Sequence, residues 1–196
     1  MSLAARIEAL PPRALVAVAG PPGAGKSTIA EKLAERIPGA CVLPMDGFHL
    51  DDRVLEARGL LPRKGAPQTF DVGGLTRTLQ AVREGGEVFH PVFDRSREIA
   101  IAGAGVIPED AAAIIVEGNY LLLDRPEWAA LGPWDLTVFL RVPESELRRR
   151  LSDRWRHLKP DAFREKMEGN DLPNARLVTG SSRAPDIVVR WPDGEI

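Results

Sequence analysis

The chain has 196 residues, of which 44% are hydrophobic and 28% are charged, and its formal net charge is −2. This length and composition are typical of a globular protein with one ordinary core, and we expect residues 1–196 to form a single domain. The balanced charge excludes the basic surface of a nucleic-acid-binding protein. No apolar run approaches the ~20 residues that span a bilayer. We therefore expect a cytoplasmic protein without nucleic-acid or membrane partners.

Five apolar runs predict the strands of one β-sheet, and helical patterns separate them. The runs are Ala14 to Gly20, Ala40 to Asp46, Ala112 to Gly118, Asp135 to Val142 and Asp186 to Trp191. The single Cys41 lies in the second run, which favours a buried thiol over a reactive one. Continuous apolar strands that alternate with helices are typical of an α/β fold with a parallel sheet covered on both faces. Right-handed crossovers then bring the carboxyl ends of the strands to one edge, where ligands bind.

Two further patterns lie between the second and third runs. Asp71 begins a predicted helix in which Leu75, Leu79 and Val82 share one face. The segment 87–107 then contains two extended stretches, EVFHPVFDRS and REIAIAGAGVI. We predict that they form an antiparallel ribbon added to the margin of the sheet.

A phosphate-binding loop follows the first run. Its sequence GPPGAGKS matches the pattern G-x-x-x-x-G-K-[ST], with a strand before it and a helix after it, as the pattern requires. The glycines let backbone N–H groups surround a phosphate, and the helix presents its positive end to the same anion. Lys26 is expected to reach the β- and γ-phosphates of the nucleotide and Ser27 to ligate Mg²⁺. The expected nucleotide contacts are Gly20, Pro22, Gly23, Ala24, Gly25, Lys26, Ser27 and Thr28.

Two acidic residues follow apolar runs and therefore lie at the same predicted edge of the sheet. Asp46, in PMDGFHLDD, is placed to accept the proton of a hydroxyl group, although an Asx turn or helix cap with Gly47 fits equally well. Glu117, in AAIIVEGNY, is placed to hold Mg²⁺ or to orient a nucleophile. The loop itself is shared by motors, switches and transporters, but no guanine-reading Asn-Lys-x-Asp and no Leu-Ser-Gly-Gly motif is present.

Several segments together resemble the uridine kinase, pantothenate kinase and phosphoribulokinase family of P-loop kinases. They are MDGFHLDD, KGAPQTFDVGGL, HPVFDRSREIA, IIVEGNYLLL and NDLPNARLV, in the family order. The resemblance covers Ala14 to Val189 and is strongest to small bacterial proteins labelled fructose-transport-system or nucleoside kinases. It implies a five-stranded sheet of order 2-3-1-4-5, a ribbon that roofs the acceptor pocket and a helical lid at about residues 148–165. It also implies that ATP and Mg²⁺ are used, that Asp46 is the catalytic acid–base residue and that Glu117 lies near the metal.

The resemblance further implies residues that contact the phosphate acceptor. His49, Lys64 and Arg95 lie in segments that line the acceptor pocket of related kinases. Tyr120 could face the acceptor as well, although an aromatic residue after a strand is more often part of the core. His90, with apolar neighbours and an adjacent proline, is interpreted as a packed structural histidine.

An arginine-rich helix begins after Pro143 and carries an apolar stripe of Leu147, Leu151 and Trp155. Arg150 and Arg154 share another face, and guanidinium groups stabilise the charge of a transferring phosphoryl group when a lid closes. The resemblance favours these two as catalytic, and the break after Trp155, at residues 157–160, as the tip of the lid. The lid lacks the Arg-Gly-Arg segment of uridine kinases, which speaks against uridine as the acceptor.

A last segment, NDLPNARLV followed by SSRAP, lies where related kinases surround adenine. Asn170, Asn174 and Arg183 are therefore candidates for nucleotide contacts, and helix capping is an equally good interpretation. Altogether we expect an ATP-dependent kinase that phosphorylates a hydroxyl group of a small molecule, with a homodimer as one option. The alternative is an ATP-binding regulatory or sensor protein that hydrolyses ATP only slowly.

Overall fold

A computed structural model of the protein describes residues 2–192. Its strands are β1 (Ala14–Ala19), β2 (Ala40–Pro44), β3 (Val88–Asp94), β4 (Ile99–Ile107), β5 (Ala113–Gly118), β6 (Leu136–Arg141) and β7 (Ile187–Arg190). Its α-helices are α1 (Leu3–Glu8), α2 (Lys26–Arg36), α3 (Asp52–Ala57), α4 (Val72–Glu84), α5 (Pro126–Ala129), α6 (Glu144–Trp155), α7 (Pro160–Arg164) and α8 (Leu172–Ser181). Within these residues, no helix is both long enough and apolar enough to cross a membrane.

Five strands form one parallel sheet in the order β2-β5-β1-β6-β7. Counted along the five predicted strands, this is the order 2-3-1-4-5, so the predicted α/β fold is confirmed. β2 stops at Pro44, and Asp46 lies in the single 3₁₀ turn that follows, Met45–Phe48. The carboxyl ends of β1, β2 and β5 therefore meet at one edge of the sheet.

The core has one layer on each face of the sheet. Along β1, Leu15 and Ala17 pack into one apolar cluster, whereas Val16 and Val18 pack into the other. The predicted helix after Asp71 is confirmed as α4: the Asp71 carboxylate accepts a hydrogen bond from the Gly74 N–H, and the predicted apolar face is buried. Because successive side chains of a strand point to opposite faces, the continuous apolar run of β1 requires helices on both sides.

The predicted antiparallel ribbon is confirmed, and its strands do not pair with the margin of the main sheet. β3 and β4 form a separate two-stranded sheet. They pack against the turn after β2, where a Cβ at Gly47 would lie 2.1 Å from the Pro91 carbonyl oxygen. The ribbon therefore joins the domain through side-chain and van der Waals contacts rather than by backbone pairing with a strand of the main sheet. His90 is buried in this ribbon, as interpreted from its neighbours.

The lid segment follows β6. α6 buries Leu147 and Leu151 of the predicted apolar stripe, and the chain turns at residues 156–158 before α7 begins at Pro160. A π-helical stretch, Glu165–Asp171, joins α7 to α8. The Trp155 indole N–H donates a 2.7 Å hydrogen bond to Asp171 Oδ2, which ties the end of α6 to this stretch.

Candidate active site

The phosphate-binding loop connects β1 to α2 in the conformation that its glycines allow. Gly23 and Gly25 have φ values of 80° and 92°, a left-handed region that other residues rarely adopt. At Gly20 a Cβ would lie 3.0 Å from the Leu140 carbonyl oxygen of β6, so the close approach of the two strands requires glycine. The loop then delivers Lys26 and Ser27 to the first turn of α2, where free backbone N–H groups favour an anion.

The Lys26 ammonium is buried at this loop and is held by two oxygen atoms. Its Nζ donates hydrogen bonds to the Pro21 carbonyl oxygen at 3.1 Å and to Asn119 Oδ1 at 2.6 Å. Burial lowers the pKa of Lys26, while the carboxylates of Glu117 and Asp46 act in the opposite direction. A desolvated cation beside this loop is suited to bind phosphate oxygens, since its attraction to an anion is little screened by water.

Ser27 and Glu117 meet at the end of β5. The Ser27 hydroxyl donates a 3.1 Å hydrogen bond to Glu117 Oε1, and Glu117 is only 5% exposed. Burial, and then the nearby charge of Asp46, raise the pKa of Glu117, whereas Lys26 and the Ser27 hydrogen bond lower it. A hydroxyl and a carboxylate are the hard oxygen ligands that Mg²⁺ prefers, and Mg²⁺ needs few protein ligands when phosphates and water supply the others. The residues therefore fit a magnesium ion held between the loop and β5.

Asp46 is paired with the ribbon. Its Oδ2 accepts a 2.9 Å hydrogen bond from Arg95 Nη2, which makes a partly exposed ion pair. Within residues 2–192, Oδ1 of Asp46 accepts no hydrogen bond, so it is free to accept one from a ligand. The structure thus places Asp46 and Arg95 side by side, although they are 49 residues apart in the chain.

One cavity of about 960 Å³ brings most of the predicted site together. The residues that line it include part of the loop, both edge carboxylates, Arg95 of the ribbon turn and Arg154 of α6. Its predicted site residues are Pro22, Gly23, Gly25, Lys26, Ser27, Thr28, Asp46, Arg95, Glu117 and Arg154. Trp155, Glu165 and Lys166 close the opposite side, so the lid segment faces the loop across the cavity.

Three predicted acceptor residues lie behind this lining. The His49 ring packs between Phe70 and Phe93, and burial lowers its pKa. Lys64 is 11% exposed, with its ammonium 2.6 Å from Asp52 Oδ1. Tyr120 is completely buried and donates a 2.6 Å hydrogen bond to the Gly65 carbonyl oxygen, which favours the core interpretation over acceptor contact.

Arg150 and Arg154 occupy different environments although they share a face of α6. Arg150 Nη1 lies 3.2 Å from each of the Gly23 and Ala24 carbonyl oxygens, and its guanidinium lies 4.2 Å from the centre of the Trp191 ring. The Arg154 guanidinium makes no hydrogen bond or ion pair within residues 2–192 and lines the cavity. Arg150 therefore holds the loop from behind, whereas Arg154 is available to a ligand.

The predicted adenine contacts are not in the cavity lining. Asn170 and Asn174 are buried, and both direct their side-chain amides at the segment after α3: Asn170 Nδ2 donates a 2.8 Å hydrogen bond to the Lys64 carbonyl oxygen. Arg183 donates a 3.1 Å hydrogen bond to the Ala129 carbonyl oxygen, while its Nε and Nη2 are buried and have no hydrogen-bond partner in the part of the chain that the structure describes. Their suggested role around adenine stays a prediction.

Asn119 and Glu98 are among the cavity residues that the sequence analysis did not predict as site residues. Asn119 follows Glu117 and Gly118 directly, so its position just after a strand end could have marked it. Glu98 lies in the turn of the ribbon, and nothing in its sequence context distinguishes it from a surface charge.

The fold and site define an ATP-dependent P-loop phosphotransferase: a Gly-Lys-Ser loop between strand and helix faces two carboxylates and a helical lid. Residues 16–172 match the family described as an AAA domain, and the chain belongs to that family. The resemblance to P-loop kinases is confirmed, since the matching proteins include ones named uridine kinase and, over about half of their length, pantothenate kinase.

Three similar proteins cover almost the whole chain. The uncharacterized protein YggC of Escherichia coli K12 is 37% identical over 92% of this chain and 79% of its own. A "putative uridine kinase" of Schizosaccharomyces pombe is 34% identical over 91% of this chain and 83% of its own. A crystal structure from Silicibacter sp. TM1040, described as a "putative fructose transport system kinase", has a TM-score of 0.89 and 45% identity over 98% of this chain and 100% of that chain. The protein is a small-molecule kinase that uses ATP with Mg²⁺ and transfers phosphate to an alcohol group.

Proposed function

We propose that this kinase transfers the γ-phosphoryl group of ATP to a hydroxyl of a sugar, a nucleoside or a pantothenate-like alcohol. The observation that carries the proposal is a single cavity of about 960 Å³ lined by the phosphate-binding loop, by Asp46 and by Arg154 together. Such a cavity has room for a nucleotide and a second small molecule, and it offers charged groups to both.

The proposed chemistry assigns one role to each group around the cavity. The backbone of residues 22–27 and the Lys26 ammonium bind the phosphates of ATP. Oδ1 of Asp46 takes the proton of the acceptor hydroxyl while the acceptor oxygen forms a bond to the γ-phosphorus. The bond between the γ-phosphorus and the bridging oxygen then breaks, and ADP leaves. Arg154 stabilises the negative charge that the transferring group spreads over its oxygens.

Ser27 and Glu117 would hold Mg²⁺, as their 3.1 Å contact and their hard oxygen atoms support. When bound, the ion neutralises negative charge on the phosphate oxygens. Arg150 keeps the loop in place through the Gly23 and Ala24 carbonyl oxygens. Trp155 and the residues after it cover the cavity and exclude water, which would otherwise compete with the acceptor for the phosphoryl group.

The test is ADP release by the purified protein with Mg²⁺-ATP, across a panel of sugars, nucleosides and pantothenate. We expect one acceptor class to raise ADP release well above the basal rate. Asp46→Asn should lower the acceptor-dependent rate by about 10²-fold or more, because the amide cannot accept the proton. Asp110→Asn, which changes an exposed turn residue, is the matched control. A flat panel combined with tight ATP binding would instead support the regulatory or sensor protein.

The acceptor class, the homodimer and the cytoplasmic location are parts of the proposal that need their own measurements. The oligomeric state can be measured by light scattering with and without ATP. Arg183 as a nucleotide contact is retained as a prediction, and Arg183→Met should then raise the KM for ATP without changing the KM for the acceptor.

A further inference from the structure

Glu98 has a backbone conformation that its side chain does not favour. It lies in the turn between β3 and β4 with a φ value of 56°, one of two non-glycine residues with positive φ among residues 2–192. Glutamate in the left-handed region is strained, whereas glycine or asparagine adopts it more readily. Strained residues tend to occur where a ligand is bound, and the Glu98 carboxylate is half-exposed and lines the cavity beside Arg95.

Lys64 holds this turn in place. Its Nζ donates a 2.6 Å hydrogen bond to the Glu98 carbonyl oxygen and forms a 2.6 Å ion pair with Asp52 Oδ1. Nζ is also 4.0 Å from Glu98 Oε2, and it lies 5.5 Å from the centre of the Phe93 ring. The ammonium of Lys64 is thus engaged by protein groups and lies outside the cavity lining.

Hydrogen bonds from Asn170 and Tyr120 hold the main chain at Lys64 and Gly65. The Lys64 carbonyl oxygen accepts the Asn170 side-chain amide, and the next carbonyl oxygen, that of Gly65, accepts the Tyr120 hydroxyl. Arg63 Nη1 donates a 2.8 Å hydrogen bond to the Gly169 carbonyl oxygen on the same side. A rigid base of this kind sets the position of the Lys64 ammonium and, through it, the position of Glu98.

We propose that Glu98 binds hydroxyl groups of a polyhydroxylated acceptor and that Lys64 is a positioning residue that acts through Glu98. An ionised carboxylate only accepts hydrogen bonds and has two oxygens, so it suits a molecule that presents neighbouring O–H donors. Arg95 lies on the same turn as Glu98 and binds Asp46. An acceptor would therefore direct the hydroxyl that is phosphorylated toward Asp46 and its other hydroxyls toward Glu98. This inference deepens the proposed function and rests on it.

The first experiment compares acceptors that differ by one hydroxyl. The probes are D-ribose with 2-deoxy-D-ribose, and uridine with 2′-deoxyuridine, at saturating Mg²⁺-ATP. For the pair that the wild-type protein uses, we expect the hydroxylated probe to have a higher kcat/KM. Glu98→Gln should lower that kcat/KM by about tenfold or more, through KM for the acceptor, because a charged hydrogen-bond acceptor is lost. The KM for ATP should stay the same.

Two further variants separate binding from structure. Glu98→Gly suits the left-handed backbone and removes the carboxylate, so it should keep or raise the melting temperature and still lose acceptor affinity. Arg97→Gln changes the neighbouring residue of the same turn, whose guanidinium contacts only the Asp94 carboxylate, at 4.0 Å, among the described residues. This variant should change neither the melting temperature nor the acceptor affinity. Normal acceptor kinetics in Glu98→Gln and Glu98→Gly would overturn the role of Glu98.

A double-mutant cycle tests the role of Lys64. Lys64→Met should raise the KM for the acceptor, and the Lys64→Met, Glu98→Gln double variant should be no worse than the more damaged single variant, since both remove one function. Multiplied effects would mean that Lys64 contacts the acceptor directly, which would overturn its positioning role. A wild-type protein that no acceptor of the full panel of sugars, nucleosides and pantothenate stimulates would refute the proposed function, and the inference with it. Stimulation that is unaffected by the variants refutes the inference alone.

Discussion

The Ser27 hydroxyl donates a hydrogen bond to Oε1 of Glu117, and this contact joins the first turn of α2 to the carboxyl end of β5. The two residues are 90 positions apart in the chain. They meet because β1 and β5 are neighbours in the sheet, with Val18 aligned to Glu117 and Ala19 to Gly118. The proximity of the phosphate-binding loop to the Glu117 carboxylate is thus a consequence of one strand pairing.

Ionised Glu117 should destabilise the folded protein, and Glu117→Gln should remove this destabilisation. The pKa of Glu117 is raised above its usual 4.5, mainly by burial. Below pH 4.5 the group is neutral in the folded and the unfolded protein and costs nothing; as the pH rises through the folded pKa, the cost becomes complete. We therefore expect Glu117→Gln to raise the melting temperature at pH 8 and to match the wild type near pH 4. Thermal melts at both pH values check this, and an equal difference at both would contradict it.

Lys26→Met should abolish catalysis without weakening the fold. The ammonium binds phosphates in the proposed mechanism, and its loss should lower ADP formation by about 10²-fold or more. Since burial lowers the pKa of Lys26, the charge is not favourable to the fold, and methionine fills similar space. ADP assays and thermal melts of the same preparation are the measurements. Lys32→Met, on the exposed face of α2, is the matched control and should change neither.

Substitutions of Arg150 and Arg154 should change different kinetic parameters. Arg150→Met removes the contacts to the Gly23 and Ala24 carbonyl oxygens, so the loop should bind ATP more weakly, with a KM raised severalfold and a lower melting temperature. Arg154→Met removes a group without protein partners within residues 2–192, so we expect a fall in kcat of about 10²-fold at unchanged melting temperature. Steady-state kinetics would reject this distinction if both variants changed the same parameter.

Tyr120→Phe should destabilise the fold by about 1 kcal/mol, because the half-buried Gly65 carbonyl oxygen loses its 2.6 Å hydrogen bond. The Asn174 amide, at 3.5 Å, is too distant to replace it fully. Urea denaturation measures the free energy of unfolding. Thr76→Val, which removes a hydroxyl bonded within α4, is the control and should cost less. A neutral Tyr120→Phe would mean that water or the amide takes over.

Gly47→Ala should displace the ribbon. The added Cβ would meet the Pro91 carbonyl oxygen at 2.1 Å, and neither the turn nor β3 can absorb this through a flexible side chain. We expect loss of acceptor-stimulated ADP release with ATP binding retained, since the phosphate-binding loop is not part of this contact. Gly180→Ala, in α8 with nothing within 4 Å of the added atom, should be neutral or slightly stabilising. Isothermal titration with ATP separates the two properties.

The main sheet could be predicted because each of its strands carries its own pattern. β1 and β5 are short apolar runs next to helical patterns, and the resemblance supplied the strand order that periodicity alone does not give. The position of the ribbon could not be predicted in the same way. Its strands pair only with each other, and the contact that places them depends on the shape of the turn at Gly47.

Site residues could be predicted where a motif or a strand end marks them in the sequence. They could not be predicted where the role of a side chain depends on its long-range partners. Asp46 follows β2, Glu117 is the penultimate residue of β5 and Lys26 belongs to the loop motif after β1, and all three line one cavity. Lys64 carries a charge typical of a ligand contact, but its ammonium is engaged by Asp52 and the Glu98 carbonyl. Such long-range pairing leaves no pattern in the sequence, because each partner alone resembles a surface charge.

The segment around Lys64 and Gly65 is anchored by its carbonyl oxygens, which Asn170 and Tyr120 recognise irrespective of the residue types that carry them. A substitution at Lys64 can therefore change the support of the Glu98 turn while the attachment of this segment to the domain persists, whereas Gly65, with a φ value of 98°, does not tolerate other residues in the same way.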